Sequence, residues 1–184
     1  VKITHNDTVL TSDLINYDEK AKVAVSPGKL TINDPECDIT GDKGSANFRK
    51  KLGDLEGSVV MLVKPKPVKE TPENKDSVKT KVTKPTTVTC PKLEYQYKDK
   101  IATLTGGVMF KQEKRTASAK KAVYDGKAEI LTLTGDVKGV DEEGQTFAAS
   151  QVKISLKKGD EWMEAENGTA TVKIDLGEED NTKK

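Results

Sequence analysis

The sequence predicts an all-β fold assembled from stacked, repeated units. Three observations carry this. Thr, Val and Ile dominate the periodic segments, as strands prefer, and helix is hard to find. A Gly-x-[Leu/Val] triplet recurs at Gly28-Lys29-Leu30, Gly57-Ser58-Val59, Gly106-Gly107-Val108 and Gly135-Asp136-Val137. Each triplet follows an aromatic (Tyr17, Phe48, Tyr97, Tyr124) by 11, 9, 9 and 11 residues. Such serial self-similarity is the mark of stacked supersecondary units. An ordinary β-sandwich, whose hairpins resemble one another because turns use few residue types, shares the all-β conclusion and differs only in topology.

The chain begins with two strand-like runs, VKIT and TVLTSDLIN, within residues 1–16. Tyr17 opens a polar turn, Lys22–Val25 alternates, Ser26-Pro27-Gly28 breaks the run, and Lys29–Ile32 alternates again. The second copy starts near Asp38–Gly41, has Phe48 in the aromatic place, and leads through Gly57 into Val59–Val63. A third runs from Thr89 through Tyr97, the turn Lys98-Asp99-Lys100 and the exit Gly106–Phe110. The best-kept copy is Ala122–Val140, where Asp125-Gly126 is a strong turn signal between β-prone runs. A degenerate fifth copy spans Phe147 to Ile174. Glycines in these runs are expected at bends or bulges where strands change direction.

Residues 64–87 interrupt the series. They hold four of the seven prolines and seven lysines against three acids. With so little apolar content they cannot offset ordering entropy, and a flexible insertion is expected. A tether to acidic partners or anionic headgroups is the sharper alternative. The expected organisation is a first β segment at 1–63, the insertion at 64–87, a second β segment at 88–176 and a polar tail at 177–184.

Composition narrows the function. Hydrophobic and charged residues are 34% and 33% of the chain, lean for a thick core but suited to a thin, extended β structure. A net charge of +1 offers no basic footprint for nucleic acid. No apolar run approaches the roughly 18 residues of a bilayer-spanning helix. Neither a signal peptide nor a membrane anchor is visible, which leaves the compartment open.

Catalytic patterns are missing. His5 is the sole histidine, and no Gly-x-Ser-x-Gly accompanies it. Asp141, Glu142 and Glu143 read as a solvated corner rather than a glycosidase pair. Gly106-Gly107 precedes neither Lys-Ser/Thr nor a helix, so it is no phosphate loop. Cys37 and Cys90 lie outside any CxxC motif; they form one disulfide or remain two buried thiols. No enzyme, metal or cofactor is expected.

The repeats do offer a continuous apolar lining. Alternation places Val23, Val25, Leu30 and Ile32 on inward faces, with Val59, Met61 and Val63 in the second copy. Leu104, Val108 and Phe110 follow, then Leu131, Leu133 and Val137, and finally Ile154 and Leu156. Facing sheets would bury this lining as a core. Splayed sheets would turn it into a groove with room for acyl chains.

The serial pattern resembles a known family. A small residue, an aromatic, a charged turn and a Leu-rich strand ending in Gly-x-Val look like the OstA-like periplasmic lipopolysaccharide-transport proteins, the LptA and LptC group. The nearest stretch is Ala119–Val137, AKKAVYDGKAEILTLTGDV; Thr11–Asp18 and Leu55–Val59 are weaker echoes. The resemblance covers most of residues 8–176, except for the insertion. It implies an elongated open β-jellyroll of two facing sheets, periplasmic location and no enzyme activity, with an anchored full-length form as an alternative. It implies that the lining shields the acyl chains of lipopolysaccharide or a related lipid, as part of a bridge to the outer membrane. Partners would be sister bridge proteins or a second copy, joined by edge-strand pairing, and an inner-membrane transporter complex. Apart from that resemblance, a structural or adhesive β-repeat protein of the envelope, with its lining packed and no ligand, fits the same residues.

Overall fold

The computed structural model describes residues 1–5, 7–64, 84–157, 160 and 162–171, with His5 and Thr171 as backbone alone. All of its regular structure is β, in one antiparallel sheet of 15 strands that does not close on itself. Six long strands form its body: β8 (Leu52–Val63), β9 (Thr86–Gln96), β10 (Ile101–Gln112), β11 (Arg115–Asp125), β12 (Ile130–Val140) and β13 (Thr146–Ser155). Each pairs with the next in sequence.

Every long strand is interrupted near its middle by an irregularity in register, and these align into a crease across the sheet. Glu56 pairs with Lys92 but Val59 with Cys90, so β8 spends three steps where β9 spends two. The same three-against-two step separates Thr105↔Lys121 from Val108↔Ala119, and Thr134↔Gln151 from Val137↔Ala149. The extra residue always falls on β8, β10 or β12. There it is accommodated by glycine at positive φ: Gly57 at 96°, Gly106 at 91° and Gly135 at 80°. A bulge bends its strand and deepens the local twist, and the repeated Gly-x-Val triplet is its imprint in the sequence.

The N-terminal third crosses the crease differently: its strands break there outright. One branch contains β1 (Lys2–His5), β2 (Thr8–Ser12), β5 (Leu30–Asn33) and β6 (Cys37–Gly41), and joins β8 through Thr40↔Val60 to Cys37↔Val63. The other contains β3 (Asn16–Asp18), β4 (Val23–Ser26) and β7 (Lys43–Asn47), and joins β8 through Lys43↔Glu56 to Asn47↔Leu52. Asp42 separates β6 from β7. Its carboxylate accepts the Ser58 N–H at 2.7 Å, bracing the bulge on β8. At the far end the last crossing is again broken, into β14 (Trp162–Glu166) and β15 (Thr169–Thr171), which share β13.

One rim of the sheet is stitched together turn by turn. Lys22, Lys51, Lys100 and Glu129 all sit at φ 57° in successive turns. Their carbonyls accept the N–H of Phe48, Tyr97, Gly126 and Leu156 at 2.8–2.9 Å. Left-handed non-glycine residues are uncommon; here each is held by a hydrogen bond to the neighbouring turn.

The insertion leaves the sheet unbroken. β8 and β9 pair from Leu52↔Gln96 to Val63↔Thr86, so the flanking segments are hydrogen-bonded neighbours and the last two residues of the expected insertion, Thr86 and Thr87, already belong to β9. Residues 65–83 of the insertion, the end of the second β segment at 172–176 and the tail at 177–184 lie outside the described residues.

Candidate functional site: an apolar trough along the crease

Strand alternation gives the sheet one apolar face and one mostly polar face. On the apolar face two rows flank the crease. Leu55, Leu93, Leu104, Ala122, Leu133 and Val152 line one side; Val59, Cys90, Val108, Ala119, Val137 and Ala149 line the other. All are buried and belong to one cluster. Further from the crease the lining opens, except at Val88, which stays buried between Met61 and Phe110. Ile32, Ile39, Met61, Phe110 and Phe147 on one wall, and Ala102, Leu131 and Ile154 on the other, are only partly buried against that cluster. The arrangement is a trough: a sealed seam at the bottom, partly covered apolar side chains on its walls.

On the opposite face the Glu56 side of the crease is polar, whereas the row on the other side mixes Thr89, Ser118 and Lys138 with the exposed Val60 and Met109. Glu56 bridges Lys43 at 3.1 Å and Lys92 at 3.0 Å, and these two lysines hold its carboxyl below the usual range. Lys120 pairs with Asp136 at 2.6 Å across the next bulge but one. Such exposed pairs add little stability; they mark which face meets water.

Of the residues expected on the lining, Leu30, Val59, Leu104, Val108, Leu133 and Val137 are buried at the seam. Ile32, Met61, Val63, Phe110, Leu131 and Ile154 stand on the same face further out. Leu156 is half-buried just past the end of β13, its N–H donating to Glu129. Val23 and Val25 do not join them. Ala24 pairs with Tyr17 and Ala46, and through Gly53 and Tyr95 leads to the Ala102–Leu131 wall. Its two valine neighbours therefore point to the other face, where Val25 is 41% exposed. A one-residue step in register exchanges every side chain between faces. Here the smaller residue lies inward, in a row with Tyr17, Ala46, Gly53 and Tyr95.

Cys37 and Cys90 are both free thiols. They lie on strands either side of β8, opposite Val63 and Val59. Strand spacings put their Cα atoms roughly 16 Å apart, beyond the ~7 Å a disulfide spans. Burial, then Asp34, Asp38 and Glu36, pushes the Cys37 thiol up to about 11. Burial also raises that of Cys90. Neither is a poised nucleophile.

The fold has relatives among known proteins. The family model described as "LptA/(LptD N-terminal domain) LPS transport protein" matches residues 1–160. The chain belongs to this LptA/LptD N-terminal domain family. A crystal structure of LptH, described as the LptA homologous periplasmic component of the lipopolysaccharide transport device of Pseudomonas aeruginosa, superposes with a TM-score of 0.54 at 19% identity. The similarity covers 70% of this chain and 82% of that one. It establishes the shared open β-jellyroll fold. A search of the curated proteins finds no match.

For an LptA/LptD N-terminal domain, the informative additions are the lining residues that alternation alone did not bring out. Ala119 and Ala122, Ala149 and Val152, and Cys90 and Leu93 straddle the crease on β9, β11 and β13. These strands change parity there without a glycine. Their only signal was that a bulge on one strand obliges its partner to reset. Both ends of this family member's sheet also expose apolar side chains. At the N-terminal end Ile3 is 47% exposed and shares a row with the lining residue Leu10. At the other end Met163 is 53% exposed and shares a row with Ile154. No helix among the described residues is long and apolar enough to cross a membrane.

Proposed function

We propose that this chain carries lipopolysaccharide across the periplasm by lodging its acyl chains between the walls of the trough, with no chemical step. The observation that carries this reading is the gradient of burial on one face. The seam is sealed, whereas Met61, Phe110, Leu131 and Ile154 remain only partly covered along the walls. Covering such surface stabilises by about 25 cal/mol per Å², which favours an apolar ligand that runs along it. The open ends supply the second half of the reading. Unpaired strand edges are normally a liability, but β1 and β3 at one end and β14 and β15 at the other can receive a strand from another component of the bridge. A periplasmic bridge to the outer membrane, built of such units and fed by an inner-membrane transporter complex, is the setting this implies.

The test is photocrosslinking in cells. Probes at Met61, Phe110 and Leu131 should capture lipopolysaccharide, and a probe at Lys138 on the polar face should not. Capture at Lys138 alone, or none at the walls, would leave a packed β-repeat protein without ligand as the better account.

A further inference from the structure

One rim of the trough is basic over three adjacent turns. The turn between β3 and β4 holds Lys20 and Lys22 against Glu19. That between β7 and β8 is Arg49-Lys50-Lys51, and that between β9 and β10 is Lys98-Asp99-Lys100. The ladder Asp18–Val23–Asn47–Leu52–Gln96–Ile101 sets these three turns side by side. Hydrogen bonds from Phe48 to Lys22 and from Tyr97 to Lys51 fix their spacing. No carboxylate ion-pairs with Arg49, Lys50, Lys51, Lys98 or Lys100 among the described residues. On the opposite rim the charges are mixed: Asp34, Glu36 and Asp141–Glu143 stand in two of its turns, but Lys64 pairs with Asp38, Lys84 with Glu113 and Arg115 with Glu142.

Each basic turn also begins beside an exposed aromatic. Tyr17, Phe48 and Tyr97 are 54%, 49% and 42% exposed, and Tyr17 meets Phe48 edge to face at 6.1 Å. Rings backed by cationic side chains suit a boundary between apolar chains and a wet anionic layer. Summed like charge along one rim also attracts anions before contact is made.

We infer that this aromatic-basic rim binds the phosphate-bearing headgroup of the transported lipid, fixing which way round the lipid lies in the trough. The inference rests on the proposed function and adds to it a headgroup subsite. Lysines at three adjacent turns act as point charges to phosphate, while the cations of the opposite rim are taken up in ion pairs with its own carboxylates. The acyl chains then enter the trough from one side only.

The experiment compares two triple variants of the full chain with equal change in net charge: Lys50→Glu/Lys51→Glu/Lys98→Glu on the rim, and Lys111→Glu/Lys114→Glu/Lys138→Glu elsewhere. Binding is measured to lipopolysaccharide with its phosphates intact and to the same lipid after enzymatic dephosphorylation. The rim variant should lose about tenfold in affinity for the phosphorylated lipid, from three partly exposed charge contacts. The control should lose less than about twofold, and all proteins should bind the dephosphorylated lipid alike. Equal loss in both variants, or a loss that persists after dephosphorylation, overturns the subsite. A glutamine triple at the rim positions, with thermal melting, separates charge from misfolding. A probe at Phe110 separates the two readings: wild-type capture without a rim effect sinks only the subsite, and no wild-type capture sinks the trough itself.

Discussion

Gly57 occupies a backbone region that side chains rarely adopt, with φ at 96°. A Cβ placed there would lie 2.6 Å from the Cβ of Asp42, the residue that caps the bulge. Gly57→Ala should therefore cost about 1–3 kcal/mol, read as a lower urea midpoint with unchanged slope. Gly28 belongs to the same repeated triplet, yet nothing lies within 4 Å of an added Cβ and its φ is ordinary. Gly28→Ala should be neutral or slightly stabilising. The pair shows that equivalent letters in a repeat need not do equivalent work. Near Gly28 the strand ends outright, and the buried Ser12 and Ser26 hydroxyls share a 2.7 Å hydrogen bond instead.

At the scale of elements, the contrast lies between strands bent at the crease and strands broken there. Each branch of the N-terminal third is hydrogen-bonded to only one half of β8, whereas β9 to β12 have long neighbours on both sides. Amide exchange should accordingly be faster in β2–β7 than at Leu104, Ala122 or Leu133, by at least about tenfold in opening constant. Uniform protection across both regions would contradict this. The bent strands were legible in the sequence because their glycines and aromatics keep nearly fixed spacing. The broken ones were harder to read. In Val23-Ala24-Val25, alternation favours the larger residues as inward, but the register puts Ala24 in the row of Tyr17, Ala46, Gly53 and Tyr95 and turns both valines to the other face. Parity resets on β11 and β13 were invisible, since Lys120-Lys121 and Ser150-Gln151 look like any exposed polar pair.

For the whole molecule, the two ends are unlike: β1 and β3 close one, β14 and β15 the other. Contact between unlike surfaces is heterologous and continues rather than closing. If copies associate, a photoprobe at Ile3 should capture the β14 side of a second chain and leave Ile3–Ile3 products absent, with mass rising with concentration in sedimentation. Symmetric Ile3–Ile3 products would show a closed dimer instead. The all-β class, the repeat and the apolar face were readable from residue types, because periodicity records burial. The trough was not, because residue identity does not tell a sealed seam from a half-open wall.

The three-against-two step has a further consequence. Because the extra residue falls on every second strand, the smallest segment that restores face, parity and turn is a pair of strands. Strands lie about 4.8 Å apart, so each pair lengthens the trough by roughly 10 Å. A single added strand would put every later side chain out of phase. Length in this architecture is therefore quantised, and gaps between neighbours can be bridged only in steps of that size.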